Sequence, residues 1–216
     1  MFIKKIKLIA GSINNYFNKL SADFRLKHLA KKSPLKVIVG AGRACQIGWI
    51  PTDIDQINLL ETNSWDKFFS INSIDAILAE HVWEHLTEQE ASIAAHNCFN
   101  YLKSHGYIRV AVPDGFKPSI DYINAVKPGG TGAGAEDHKV LYNYRTISKL
   151  FESAGFEIEL LEYYDEEGKF HYKEWDPDKG LITRSSRYDE RNQHGNLNYT
   201  SIIIDARKKV KGMCKK

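Results

Sequence analysis

The chain has 216 residues and a mass of 24.7 kDa, with 43% hydrophobic and 26% charged residues, which suits one domain with a full core and excludes a disordered or low-complexity chain. Three cysteines, Cys45, Cys98 and Cys214, are odd in number and lack metal-type spacing, so a disulfide scaffold is excluded and reduced thiols in a cytoplasmic protein are expected. The net charge of +3 is unevenly placed, since residues 1–36 carry nine Lys/Arg against Asp23 alone, which leaves −5 for the other 180 residues.

In chain order, Phe2, Ile6, Ile9, Ile13, Tyr16, Phe17 and Leu20 recur at spacings of three and four with lysines between them. Residues 1–34 therefore read as a basic amphipathic N-terminal segment. It packs on the domain's own sheet, rests through residues 1–30 on an anionic membrane at its inner face, or contacts a phosphate-bearing partner. The run Leu8-Ile9-Ala10 is interrupted too early for a signal-peptide core, and no stretch approaches the roughly 20 apolar residues of a spanning helix.

Residues 35–208 read as the main domain, followed by a basic tail at 209–216. Lys36–Val39 is a β-branched run ending in Gly40-Ala41-Gly42, the pattern of a buried strand leaving through a tight turn. Eleven residues after Gly42, Asp53 closes a second apolar segment. A glycine turn after one strand and an acid at the tip of the next is how open α/β sheets hold a nucleoside. Gln56–Glu61 is a candidate third strand, and Ser73–His81 surrounds another buried run.

Val82–Leu102 has helical spacing, with Thr87–Glu90 in the form of a capping box. Tyr107–Val112 is a strand ended by Pro113-Asp114-Gly115, Tyr144–Ala154 a helix stopped by Gly155, and Phe156–Tyr163 and Thr200–Ala206 two late strands. Helices alternating with strands, then a late strand pair, describe an α/β, doubly wound, mostly parallel sheet with a C-terminal antiparallel strand pair.

With those elements in place, IDAILAEHVWEHLTEQEA, NYLKSHGYIRVAVPD and YRTISKLFESAGFEIELLEY resemble the class I S-adenosylmethionine-dependent methyltransferases over roughly Leu35 to Arg207. The short glycine turn running into GW-I-x-x-D-I is similar to a bacterial branch often linked to surface-polysaccharide synthesis. The resemblance implies a seven-stranded Rossmann-like methyltransferase sheet with S-adenosyl-L-methionine as cofactor. By it, Gly40, Ala41 and Gly42 border the methionine part, Asp53 holds the ribose, Asn63 lies near adenine, and Glu80 and His81 line the crevice. Two features depart from the family pattern. Gly42 to Trp49 is too short for the first crossover helix, and there is no Asn/Asp-Pro-Pro-Tyr/Phe motif of amine methylation, which favours oxygen as the acceptor atom.

For an alcohol acceptor a base is needed within hydrogen-bond reach. The candidates are Asp114 at a strand end, His138 in the loop GGTGAGAEDHK, whose glycines permit movement over a site, and His81. The insertion 165–198 carries His171, Tyr172, Trp175, Arg184 and Arg187, rings and cations that suit a sugar or phosphosugar; otherwise it is a flap or dimer arm. His81-Val82-Trp83-Glu84-His85 also has the His-x-x-Glu-His form of an inverted zinc-peptidase site. No third ligand stands out on a neighbouring helix, so no metal is expected.

The expectation is O-methylation of a small-molecule, carbohydrate or glycan acceptor by a cytoplasmic enzyme. A nucleic-acid methyltransferase, although nucleic acid is not the expected partner, a non-catalytic binding module of the same fold and a zinc hydrolase remain the alternatives, and the oligomeric state is open.

Overall fold

The computed structural model describes residues 22–192 and 194–209. Most of the amphipathic segment, the tail from residue 210 and Cys214 lie outside the described residues. One sheet of seven strands organises the rest: β1 Lys36–Ile38, β2 Ile50–Pro51, β3 Ile74–Glu80, β4 Leu102–Pro113, β5 Phe156–Tyr164, β6 Phe170–Tyr172 and β7 Ser201–Lys208. Their order is β2-β1-β3-β4-β7-β5-β6. The first four are parallel, and β7 runs antiparallel between β4 and β5 while β6 adds an antiparallel edge. This is the Rossmann-like α/β sheet that the sequence implies. The chain leaves β1 for β2 on one side and β3 on the other, so a crevice opens at the carboxyl ends of β1 and β3.

The helices are α1 (residues 22–29), α2 Thr62–Asp66, α3 Glu88–Tyr101, α4 Ile120–Val126 and α5 Tyr144–Ser153. Thr87 caps α3 as a complete capping box with Glu90, and Asn143 does the same for α5 with Thr146. Two expected elements differ. Gln56–Glu61 forms turns rather than a strand, because Asn58 and Ser64 bind the local backbone at 3.0 Å and offer it an alternative to a ladder. Val82–Leu102 is two pieces: a 3₁₀ turn, Trp83–His85, precedes α3, since capping at Thr87 restarts the helix.

The two faces of the sheet are covered differently. One carries Val37, Val39, Ile77, Ile108, Val110, Ile202 and Ile204, packed beneath Ala91, Ala94, Ala95 and Cys98 of α3 and Ile147 and Phe151 of α5. Leu26 of α1 joins this core at 4% exposure, and Trp65 of α2 stacks on Tyr101 at 4.9 Å. The other face lacks the crossover helix, because residues 39–49 link β1 to β2 by turns alone. There Ile38, Ala76, Leu78, Ala111 and Ile203 are covered by Trp49 and by Trp175 and Ile182 of the insertion.

Charge pins the insertion to that face. Arg109 makes a bidentate pair with Asp205 at 2.7 and 3.0 Å, donates through Nη1 to the Asp176 and Gly180 carbonyls at 2.8 Å, and lies 4.9 Å over the Trp175 ring. Gln46 exchanges two hydrogen bonds with the Leu181 backbone at 2.7 and 2.9 Å. Buried Glu162 accepts from Trp175 Nε1 and Ser186 N. The insertion is therefore a strap that replaces a missing helical layer.

Candidate active site

Two cavities meet at the carboxyl edge of β3. The first, about 560 Å³, is lined by Gly40, Asp53, Asn58, Leu59, Leu60, Val82 and Leu86, among others. The second, about 750 Å³, is lined by residues of α4, the 132–138 loop and the strap. His81 and His85 line both.

In the first cavity, Gly40 has φ 59°, and a Cβ there would meet Val82 Cγ2 at 2.7 Å, so glycine is required for this turn to pass the crevice wall. Asp53 accepts from Gly42 N at 2.9 Å and from Ile54 N at 2.8 Å. A carboxylate has about four acceptor positions, so roughly two remain for hydroxyl donors. Ile57, Leu59, Leu60, Val82 and Leu86 supply an apolar wall. The volume lies within the range of roughly 300–1,000 Å³ for small-ligand sites.

Several residues from the sequence reading sit elsewhere. Asn63 is exposed on α2 and does not line the cavity; Asn58, in the turn before it, does. Ala41 and Gly42 are also outside the lining, Ala41 packing toward the strap side instead. The Glu80 carboxylate accepts from Thr183 Oγ1 at 2.6 Å, Thr183 N at 3.2 Å and Arg184 N at 2.7 Å, so it anchors the strap rather than facing a cofactor.

Asp114 is fully buried and spends both carboxylate oxygens on backbone amides, Phe116 N at 2.9 Å and Tyr164 N at 2.7 Å. It lines neither cavity and is no base for an acceptor. Burial pushes its carboxyl up to about 6, against the lowering effect of those amides and of Lys117.

Among the expected acceptor contacts, only Arg184 lines the larger cavity. Trp175, at 6% exposure, is core. His171 pairs with Asp165 at 2.6 Å and stacks on Tyr163 at the outer edge, Tyr172 is exposed on β6, and Arg187 lies over Tyr188. The strap instead contributes Arg191, Asn198 and Tyr199, with Arg191 stacked 3.5 Å over Tyr199 and paired with Asp189. Ser119, Asp121 and Tyr122 come from the start of α4, which Tyr122 fixes by accepting from Asp114 N at 3.0 Å and donating to Thr200 O at 2.9 Å.

The histidines occupy the junction. His81 adopts φ 56°, a left-handed conformation that turns the chain from β3 into the 3₁₀ turn. Its Nε2 lies 2.9 Å from Ser201 Oγ, whose hydrogen goes to Arg184 O at 2.7 Å, so Nε2 carries a proton and donates. Its Nδ1 faces Glu84 Oε1 at 2.9 Å. With both nitrogens engaged, His81 orders the junction and is not a free base.

His138 is held by Nδ1–H donating to Val126 O at 2.7 Å, which leaves the Nε2 lone pair unpaired. Its loop docks on the 3₁₀ turn through Lys139 N to Glu84 O at 2.6 Å. Two of the loop's glycines serve close packing, while Gly129 and Gly134 take positive φ in open space. A Cβ at Gly130 or Gly132 would meet the last carbonyls of α4 at 2.6 or 2.8 Å.

Glu84 is fully buried; its Oε1 faces His81 Nδ1 at 2.9 Å, and its Oε2 has no hydrogen-bond partner. Burial raises its carboxyl, but the charge and hydrogen bond of His81, with help from the backbone and His85, bring it below the ordinary carboxylate value. The His-x-x-Glu-His spacing pointed to this residue; the contribution of Arg191, Asn198 and Tyr199 carries no comparable sequence signal.

No protein-family model and no curated protein matches the chain. Solved structures do. It is similar to a SAM-dependent methyltransferase from Archaeoglobus fulgidus, with 16% identity, 88% of this chain and 94% of the other covered, and a TM-score of 0.48. Another, from Thermotoga maritima, has 14% identity, coverage of 91% and 96%, and a TM-score of 0.48. A third, from Mesorhizobium loti, has 11% identity, coverage of 86% and 97%, and a TM-score of 0.46.

Proposed function

We propose that the protein is an S-adenosylmethionine-dependent methyltransferase acting on the oxygen of a polyhydroxylated, anionic acceptor such as a sugar acid or phosphosugar. The observation that carries this reading is the pair of cavities joined at His81 and His85, on the carboxyl edge of β3 beside the switch point. A group-transfer enzyme needs two reactants held so that one reacting atom faces the other. The smaller cavity suits the cofactor: Asp53 faces the ribose hydroxyls, the apolar wall receives the adenine, and Gly40 admits the methionine part. The bound cofactor supplies an electrophilic methyl group on a sulfonium.

The larger cavity suits the acceptor. Its lining combines Tyr122 and Tyr199 with Ser119, Asp121 and Asn198, rings and hydrogen-bonding groups that recognise a sugar. Arg184 lines this cavity with its charge felt by Asp189 and Tyr199, and it is the cation we assign to an acceptor carboxylate or phosphate. The acceptor oxygen then rests against Glu84, His85 and His138; its proton passes to the bare Nε2 of His138 as oxygen takes the methyl and the sulfonium leaves as a neutral thioether.

Calorimetric titration with S-adenosylhomocysteine tests the cofactor half. Asp53→Ala is expected to weaken binding by roughly 1.5–3 kcal/mol, the range for hydrogen bonds to a charged group. Asp55→Ala, two residues further on, should change it far less. Absence of binding by the unaltered protein would refute the methyltransferase reading. The acceptor half is tested by methyl transfer to nucleotide sugars and glycan extracts, where Arg184→Ala should raise KM for charged acceptors and leave neutral ones nearly unaffected.

A further inference from the structure

The turn that the sequence left without a third ligand carries a cluster of metal-ligating side chains. Glu84, His85 and His138 each present a ligand atom, and these atoms lie within 4.8 Å of one another. The third residue comes from a loop 53 positions after His85 rather than from a neighbouring helix, and backbone bonds from Lys139 and Val140 to Glu84 O hold that loop in place. The sequence offered no third ligand on a neighbouring helix; the fold brings His138 alongside from a loop instead.

We propose that Glu84, His85 and His138 bind one divalent first-row transition ion, of the Zn²⁺ or Co²⁺ type, at the mouth of the larger cavity. Two imidazoles and one carboxylate suit such an ion and do not suit Mg²⁺ or Ca²⁺, which prefer all-oxygen shells. Each ligand also has the outer partner that such sites use to aim their donors. His138 gives its Nδ1 proton to Val126 O and so turns a bare Nε2 toward the cavity. His85 faces the Asp137 carboxylate through Nδ1 at 3.5 Å, which favours the proton there and leaves Nε2 for an ion. Glu84 is flanked by His81, which Ser201 fixes in turn.

The independent pointer is Glu84 itself. Its carboxylate is fully buried and lines an open cavity, and while Oε1 faces His81 Nδ1 at 2.9 Å, Oε2 has no hydrogen-bond partner, which leaves one oxygen for a cation. The two imidazoles stand at 82° with centroids 4.8 Å apart, edge to face, so their nitrogens converge without the rings stacking. Donors about 3.3 Å apart surround a tetrahedral ion with bonds near 2.05 Å. A small rotation of the half-exposed His85 ring closes the set. Three protein ligands leave at least one position for an oxygen from the cavity side. This deepens the methyltransferase reading, on which the role of the ion rests: it would hold the acceptor hydroxyl and favour its ionised form, the proton passing to solvent in the open cavity instead of to His138. Binding of the ion itself does not depend on that reading.

The experiment is titration of the untagged full-length protein with Co²⁺ and Zn²⁺, without cofactor or acceptor, alongside the S-adenosylhomocysteine titration. One ion per chain is expected, with the intense visible absorption of four- or five-coordinate Co²⁺. His85→Ala and His138→Ala should each weaken it about tenfold or more, the lower end of what even outer-partner loss produces. His171→Ala, altered at the outer edge, should bind as the parent does. His85 is half-exposed, so its replacement spares the core, and thermal unfolding confirms that each variant is folded. No stoichiometric ion in the parent protein, or unchanged affinity in the folded His85→Ala variant, overturns the proposal. Cofactor binding without metal binding would remove the ion and leave the methyltransferase; metal without cofactor would do the reverse.

Discussion

Asp114 illustrates how a carboxylate at a strand end becomes structural. The strand delivers it to the sheet edge where ligands gather, yet Phe116 and Tyr164 claim both oxygens from the backbone side. Its carboxyl titrates at about 6 instead of 3.8 because burial disfavours the charge. Between these values the folded protein keeps a proton that the unfolded chain has released. The group's contribution to stability is therefore greatest below about pH 4 and declines as pH rises through 6, by at most roughly 3 kcal/mol. Asp114→Asn has no such titration. Urea unfolding at several pH values should show the parent losing ground to this variant from pH 4.5 to 7.5, whatever their offset. Cofactor binding should be unaffected, since Asp114 touches neither cavity. Strand position made Asp114 legible as a candidate base, but whether an acid faces a crevice or a neighbouring amide depends on a partner 50 residues away. Asp53 was legible because its partners are its own turn.

At the scale of elements, the strap is where sequence and structure part most. Rings and arginines in a long loop resemble a binding surface, and Trp175 has the composition for it. The structure gives Trp175 to the sheet, with its Nε1 donating to Glu162 at 2.9 Å and its ring under Arg109. Trp175→Ala should cost about 3–5 kcal/mol in urea unfolding, the range for emptying a buried aromatic site. Tyr172→Ala, at 48% exposure on the β6 edge, should stay within about 0.5 kcal/mol. Equal effects would contradict the covering role. The capping box at Thr87, the αL glycine at 155 and the alternating strands are local signals and were readable in advance. The strap's docking rests on Arg109, Gln46 and Glu80, residues 67 to 135 positions from their partners, and no local pattern encodes such pairings.

For the whole molecule, α1 decides how the N-terminal segment can be tested. Leu26 is buried in the helix-side core, with Leu29 and Ala30 packed against it, so deleting residues 1–30 removes core as well as charge. Deleting 1–21 removes four lysines and no acid. If the basic segment binds membranes, this shorter deletion should abolish salt-sensitive association with anionic vesicles while the unfolding midpoint barely moves. Retained vesicle binding would place the contact elsewhere. Deletion of 1–30 should lower the midpoint in either case. The strap also carries a consequence for synthesis on the ribosome. The parallel strands beneath it are complete once Pro113 has emerged, but their cover arrives with Trp175 to Ile182, and the sheet cannot close until β7 slides between β4 and β5. At about 5–20 residues per second, the roughly 90 residues from Pro113 to β7 take about 5–20 s. Until Trp175 to Ile182 emerge, the nascent chain presents Ile38, Leu78 and Ala111 covered by Trp49 alone, and the β4 edge stays unpaired until β7 follows. Chaperone dependence during translation, out of proportion to the size of the finished domain, is what such an order of assembly entails.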